Sequence, residues 1–305
     1  MSYPTLRLHP RKEESVLRFH PWIFSGAIAS FSAPVEDGDL VSVVDSKGHP
    51  LGTGHFGGGS IAVRLLSFDA EEVVDRAFYK RRLEAALRLR LSCDLVRPVG
   101  SSDSPNTTYR LVHGEGDSLP GLIIDIYDRT AVVQAHSLGM HQARQTIAEV
   151  LWEVFAEAGD PVLPLEGVYY KSETTLPTRD MRELASDGFL IGHTEAAPIY
   201  ENGVRFTPDW LKGQKTGFFI DQRDNRALVA HYAKGRTVLN AFCYTGGFSI
   251  YALHAGAKRV DSLDSSAKAM YLTEQHVALN FGADCPRHHS VTEDAFDYLE
   301  RMPEG

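Results

Sequence analysis

Apolar positions recur along this chain in two rhythms. Leu40-Val41-Ser42-Val43-Val44 and Ile61-Ala62-Val63-Arg64-Leu65-Leu66 are β-branched runs closed by Gly, Asp and Ser clusters, which predicts a small β domain over residues 1–72. Over residues 71–91 the rhythm turns helical, with Phe78, Leu83, Ala86, Leu87 and Leu91 on one face. A breaker-rich loop spans 98–108. Beyond it, 122–127 and 131–134 read as a hairpin turning at Asp128-Arg129, 142–158 as an amphipathic helix, and 167–170 and 189–191 as further strands. With the first helix, these elements predict a central α/β domain over 73–195.

From Glu201 onward, short apolar strands alternate with helices. Residues 204–206 predict a strand, 221–233 a helix, 237–242 a buried strand, 246–255 a helix, 259–264 a strand and 267–280 a helix. That alternation implies βαβ units and a parallel sheet, here a third domain over 196–305. The fold class is α/β.

Composition narrows the class. Of 305 residues, 43% are hydrophobic and 23% charged, which excludes a disordered, collagen-like or disulfide-scaffold protein. Three cysteines, Cys93, Cys243 and Cys285, are too few for a disulfide framework or a zinc knuckle, so no metal site is expected. The N-terminus lacks an apolar signal core, and no run of apolar residues is long enough to span a bilayer. A soluble, cytoplasmic protein is expected, with no membrane partner.

The net charge of −9 argues mildly against a polyanionic partner, yet residues 76–97 hold seven basic residues against Glu84 and Asp94. A local excess of that kind reads first as a solvated helix face.

Two glycine motifs compete as ligand sites. Gly52-Thr53-Gly54-His55-Phe56-Gly57 matches the dinucleotide fingerprint in its letters, but a strand rather than a helix follows. It is assigned to a hairpin turn. Val238-Leu239-Asn240-Ala241-Phe242-Cys243-Tyr244-Thr245-Gly246-Gly247 instead runs strand, tight turn, helix, with Thr245 as the expected N-cap. Asp264 lies seventeen residues past Gly247, at the end of the next strand, where a carboxylate can accept hydrogen bonds from a ribose. Asp294 supplies a second acid one strand later. Upstream, Gly213 to Arg226 form a glycine-rich loop with two aromatics, suited to packing over a ligand.

These residues carry a resemblance. Gly-Gln-Lys-Thr-Gly-Phe-Phe-Ile-Asp-Gln-Arg-Asp-Asn-Arg from Gly213, Asn-Ala-Phe-Cys-Tyr-Thr-Gly-Gly-Phe-Ser from Asn240, His-Pro-Trp-Ile-Phe-Ser-Gly-Ala-Ile from His20 and Gly-Glu-Gly-Asp-Ser-Leu-Pro-Gly-Leu-Ile-Ile-Asp from Gly114 resemble the RlmI-like family. Its members are S-adenosylmethionine-dependent methyltransferases that modify cytosine C5 in large-subunit ribosomal RNA. The resemblance implies an N-terminal PUA-like RNA-binding barrel, a central α/β domain and a C-terminal Rossmann-like methyltransferase domain. It also implies that Tyr244, Thr245, Gly246 and Gly247, with the backbone near Asn240 and Phe242, hold the methionine end of S-adenosylmethionine. Asp264 would take the ribose and Asp294 the adenine amino group, while the loop with Gln214, Phe218 and Arg223 would cover the cofactor. The basic helix, through Lys80, Arg81, Arg82 and Arg88, would then contact ribosomal RNA phosphate.

One departure stands out. The family's Asp-Pro-Pro motif and nucleophilic cysteine are absent, so the catalytic residue is expected beyond Gly305, the C-terminal domain is expected to be truncated, and the chain alone is expected to be inactive. A doubly wound sheet centred on Val238–Phe242 would then keep only its first half, and its central strand would lie open at an edge. Cys243 sits in the turn as a packing residue, and the His288-His289 pair has no metal-ligand spacing. Two alternatives stay open: a guanine-modifying ribosomal RNA methyltransferase of the same architecture, and a non-enzymatic RNA-binding protein that keeps the fold. A nicotinamide-dependent oxidoreductase ranks last, and a homodimer is an admissible assembly.

Overall fold

The computed structural model of the chain describes residues 3–101, 103–177 and 186–302. They form two compact units. One is built from residues up to Pro98 and from Thr108 to Glu195, the other from Val99 to Thr107 and from Ala196 onward. The loop Val99–Thr107 therefore packs with the C-terminal unit, not with the central domain that precedes it in a linear reading. Backbone pairing explains this: Thr107 N–H donates to Tyr200 O at 2.9 Å, and Gly203 N–H to Pro105 O at 2.8 Å.

The first unit holds two sheets. Strands β1 (Thr5–Leu8), β2 (Trp22–Phe24), β3 (Ile28–Phe31), β4 (Leu40–Val44), β5 (Pro50–Phe56) and β6 (Ile61–Ser67) pair in the order β2-β6-β5-β4-β1-β3. All neighbours are antiparallel except β1 and β4. Leu6, Leu8, Val41, Val43, Val63 and Leu65 form their core. The Gly52–Gly57 motif does not form the hairpin turn expected of it. Gly52 and Gly54 lie inside β5, where an added Cβ would come within 2.3 Å of Ser67 O and 2.2 Å of Arg64 O. Glycine is needed there for close strand approach, and the chain turns only after Phe56.

The second sheet runs β11-β10-β9-β8-β7, from β7 (Thr108–His113), β8 (Leu122–Tyr127), β9 (Thr130–Ala135), β10 (Gly167–Tyr170) and β11 (Gly188–Gly192). Helices Arg76–Ser92 and Arg144–Ala158 pack their apolar faces on it through Phe78, Leu83, Leu87, Ile147, Leu151 and Phe155. The first helix starts five residues later than its periodicity predicts, because Asp75 caps it by accepting from Phe78 N–H at 2.9 Å.

In the second unit, β12 (Ile199–Glu201) and β13 (Val204–Phe206) form an antiparallel hairpin, so residues 204–206 are not part of the parallel sheet. That sheet has the order β14-β15-β16, from β14 (Thr237–Ala241), β15 (Arg259–Asp264) and β16 (His288–Thr292). Helices Arg223–Ala233, Gly247–His254, Ala267–Phe281 and Ala295–Glu300 complete the alternation. β14 is not the buried strand its composition predicts: Thr237 and Leu239 are exposed, since β15 is its sheet neighbour on one side and no described strand pairs on the other.

Candidate cofactor site

The chain leaves β14 through three residues with left-handed backbone, Phe242, Tyr244 and Gly246, at φ of 56°, 50° and 76°. At Phe242 and Tyr244 this costs free energy unless the surroundings hold it. Several bonds do so here. Tyr244 N–H donates to Asp264 Oδ2 at 2.9 Å, and Cys243 N–H to Leu263 O at 3.0 Å. Thr273 Oγ1–H donates to Tyr244 O at 3.0 Å, and His276 Nδ1 lies 2.8 Å from Thr245 O. At Gly246 an added Cβ would stand 2.5 Å from Thr273 Cγ2, so the turn requires glycine for shape as well as conformation.

Gly246, not Thr245, occupies the N-cap position of helix Gly247–His254, and it supplies no side-chain cap. The threonine carbonyl is drawn toward His276 instead. The helix therefore presents first-turn N–H groups without a side-chain acceptor, at the positive end of its dipole.

A cavity of about 320 Å³ opens on this turn. Phe242, Cys243, Tyr244, Thr245, Gly247 and Phe248 form one wall, and Lys215, Phe218, Phe219, Asp221, Gln222 and Arg226 the other. The second wall is held to the first. Gln214 N–H donates to the Tyr244 hydroxyl at 3.3 Å, and the Phe219 and Tyr244 rings meet edge-on at 5.3 Å. Lys215 Nζ stands 4.3 Å over the Phe219 ring and 3.2 Å from Asp221 Oδ2.

Beneath the second wall lies a charge cluster that sequence reading does not reveal. Glu201 is fully buried and accepts from Arg226 through Oε1 at 2.8 Å and Oε2 at 2.7 Å. Arg226 also donates to Phe219 O at 2.9 Å and lies 4.7 Å from the Phe218 ring centroid. Arg223, expected over the cofactor, instead points at Glu201, with Nε at 3.7 Å, and is not part of the cavity wall. No spacing rule pairs Glu201 with an arginine twenty-five residues away.

The remaining expected residues divide. Phe218, Phe242, Tyr244, Thr245 and Gly247 line the cavity, and Gly246 shapes its turn. Asp264 stands directly behind, with Oδ1 accepting from Ser266 N–H at 2.9 Å and Oδ2 from Tyr244, which fixes the carboxylate in place. Asn240 turns its side chain away, donating to Ser249 Oγ at 2.9 Å. Asp294 caps helix Ala295–Glu300, accepting from Phe296 N–H at 2.8 Å, and is outside the cavity wall. Cys243 is buried beside Met270, and burial, helped by Asp264, pushes its thiol up to about 11. It keeps its proton at neutral pH, which suits packing and not nucleophilic attack.

The basic helix is less free than its charge suggests. Lys80 pairs with Glu153 and Glu157, while Arg81 and Arg82 share Glu72 at 2.8 and 3.3 Å. Arg90 is buried against Asp117, and Arg88 is exposed. Among the described residues no His, Cys, Asp or Glu cluster could hold a metal ion, and no helix is long and apolar enough to cross a membrane.

The family described as a PUA-like domain matches residues 6–68, and the S-adenosylmethionine-dependent methyltransferase family matches residues 177–301. The chain is 38% identical over 301 residues to ribosomal RNA large subunit methyltransferase I of Alteromonas mediterranea, covering 97% of this chain and 71% of that relative. It is 39% identical over 280 residues to the protein of the same name from Shewanella frigidimarina, covering 90% of this chain and 66% of the relative. The alignment with the first runs through nearly the whole chain, so it lends no support to the expectation of inactivity. A solved structure described as a S-adenosylmethionine-dependent methyltransferase from Streptococcus mutans superposes with a TM-score of 0.78 at 24% identity, over 98% of this chain and 73% of the other. A second, a methyltransferase in complex with S-adenosylhomocysteine, gives 0.79 at 23% identity, over 98% and 72%. At such identities these two likenesses concern the fold.

Proposed function

Because the chain belongs to the ribosomal RNA large subunit methyltransferase I family, with S-adenosylmethionine as its cofactor, we propose that it methylates large-subunit ribosomal RNA at cytosine C5. The observation that carries the reading is the Phe242–Gly247 turn hung on Asp264 and facing a walled cavity. The residues present fit the cofactor: an aromatic wall, a glycine turn packed closely against Thr273 and Arg226, and a fixed carboxylate.

When bound, S-adenosylmethionine supplies an electrophilic methyl group on a sulfonium. The chain's own residues bind and orient it. Gly246 and Gly247 let the backbone approach the amino-acid end closely, and the uncapped helix N-terminus offers N–H donors to its carboxylate. Asp264, already oriented by two backbone N–H groups, keeps lone pairs for the ribose hydroxyls. Phe219 and Tyr244 give an apolar face that excludes water from the transfer path. Asn240, Gln214, Arg223 and Asp294 act here through the backbone, the loop or the helix they hold, not by lining the cavity. Large-subunit ribosomal RNA is the proposed partner, met first by the PUA-like domain.

The test is calorimetric titration with S-adenosylhomocysteine, with NAD as control, followed by methyl transfer to large-subunit ribosomal RNA and mass spectrometry of the nucleosides. Uptake of the former alone and a 5-methylcytidine product are expected. A methylated guanosine would move the target base, and NAD binding would overturn the cofactor reading. Asp264→Ala is expected to weaken cofactor binding by about 1.5–3 kcal/mol, roughly 10- to 150-fold, the range for a hydrogen bond to a charged group. Unchanged affinity would remove Asp264 from the site.

A further inference from the structure

A second cavity, of about 290 Å³, lies within the N-terminal unit, and the cofactor does not account for it. Its floor is a row of side chains on one face of the first sheet. Arg64 on β6 stands opposite His55 on β5 and opposite Trp22 on β2, so the three share a face. The chain segment at Ser137 and Leu138 closes one side, and the turn Gly57–Ser60 the other. His55 lies so close against Gly139 that an added Cβ would come 2.2 Å from its Cγ.

The polar groups of this cavity are poorly occupied. His55 is 6% exposed, lines the cavity, and its buried Nδ1 has no hydrogen-bond partner. A buried orphan of this kind costs about 1–3 kcal/mol, which asks for an explanation. Burial beside Arg64 lowers its pKa to about 4, so the ring is neutral and can donate at one nitrogen and accept at the other. Among the described residues, the Arg64 guanidinium makes one hydrogen bond, to Ile61 O at 3.5 Å, although it carries five donors. The nearby Glu115 is engaged by Trp22 Nε1–H at 2.7 Å.

We propose that this cavity is a subsite for one unstacked nucleotide of the RNA, with Arg64 on its phosphate, His55 on the base edge and Leu138 beside the base. The inference rests on the RNA-substrate reading above and adds a binding site to it. Several features favour a nucleotide over a simple anion. The wall is partly apolar, through Phe56, Ile61 and Leu138, and Asp37 adds an acceptor that would repel a bare anion but suits a base amino group. The volume, about 290 Å³, is at the small end of ligand sites. Phe24, 53% exposed, is paired with Ile61 across β2 and β6 and offers a ring on which the next base can stack. Proteins read single-stranded RNA by this combination of stacking and edge recognition.

The experiment uses the full chain and a fluorescein-labelled single-stranded RNA of mixed sequence, about ten nucleotides long, within the size range of single-strand sites. Binding is read by anisotropy across a salt series, with S-adenosylhomocysteine uptake and thermal melting measured in parallel. Three variants are compared: Arg64→Gln, His55→Phe and Gly59→Trp. Gly59 has open space around it, so tryptophan there obstructs the cavity without touching the core. Each is expected to weaken RNA binding about tenfold, and Arg64→Gln should also make the salt dependence shallower by about 0.7, the loss of one phosphate contact. RNA affinities within twofold of the parent in folded variants would overturn the subsite, as would absence of RNA binding by the folded parent. His55→Phe adds a separate check: raised thermal stability with unchanged RNA affinity would make His55 only a buried orphan. Loss of S-adenosylhomocysteine binding by the parent, with the RNA effects intact, would overturn the methyltransferase reading and leave the subsite standing.

Discussion

Replacing Glu201 with alanine tests how the second wall of the cofactor cavity is held. The carboxylate is fully buried, and Arg226, 2% exposed, meets it with two parallel hydrogen bonds. Removing it leaves a buried guanidinium without its counter-charge, a change that costs about 3–5 kcal/mol. For a unit of this size, that lowers the melting temperature by roughly 10–20 °C. Cofactor affinity is expected to fall with it, because Arg226 also bonds Phe219 O and lies against Phe218. Calorimetric melting and titration with S-adenosylhomocysteine read the two effects separately. The double variant Glu201→Leu/Arg226→Met distinguishes charge from packing. With the central charge pair gone, stability is expected to recover in part, since apolar replacement of a buried pair is often neutral or better while Arg223, 3.7 Å from Glu201, still loses its acid. Cofactor affinity is not expected to recover, because the prop under Phe219 is still missing. A loss below about 1 kcal/mol in the single variant would refute the reasoning, since it would place the pair's energy in the range of solvent-screened surface pairs.

Three further outcomes are expected. Gly246→Ala combines φ of 76° with a Cβ 2.5 Å from Thr273 Cγ2, and should destabilise the C-terminal unit by about 1–3 kcal/mol; an unchanged melting temperature would mean that the turn relaxes. Because His55 has a folded pKa of about 4 against 6.5 unfolded, its contribution is present above pH 6.5 and lost as pH falls toward 4, by about 3 kcal/mol. Urea melts of the parent and His55→Phe across that window should therefore converge in slope at high pH and diverge at low pH, and parallel curves throughout would count against it. Replacing Arg81, Arg82 and Arg88 together should flatten the salt dependence of RNA binding by about 0.7, the share of Arg88 alone, because Glu72 already holds the other two. A change near 2 would restore the whole helix as an RNA face.

Much of the C-terminal unit was legible in consecutive residues. The strand–turn–helix at Val238 to Gly247 and the position of Asp264 follow from a β-branched run, two glycines and a spacing, all of which act locally. The structure puts Asp264 at the end of β15, behind the turn and tied to Tyr244 N–H. Local reading failed where the answer depends on a distant neighbour. Thr245 is a good N-cap by type, but His276 bonds its carbonyl and the helix begins one residue later. Val204 to Phe206 reads as a strand and is one, yet its partner is β12 and not the parallel sheet.

The sequence by itself determined the alternation of elements, the glycine turn and the family, because periodicity and backbone conformation are written in adjacent residues. Only the tertiary structure decided which charges are spent. The excess over residues 76–97 is countered by Glu72, Glu153 and Glu157, and the buried Glu201 is matched by Arg226. It also decided that His55, inside a strand like any other, is sealed against Gly139 beside a thinly bonded Arg64. Charge pairing and desolvation act through space over a few ångströms, and residues far apart in sequence come within that range only when the chain has folded.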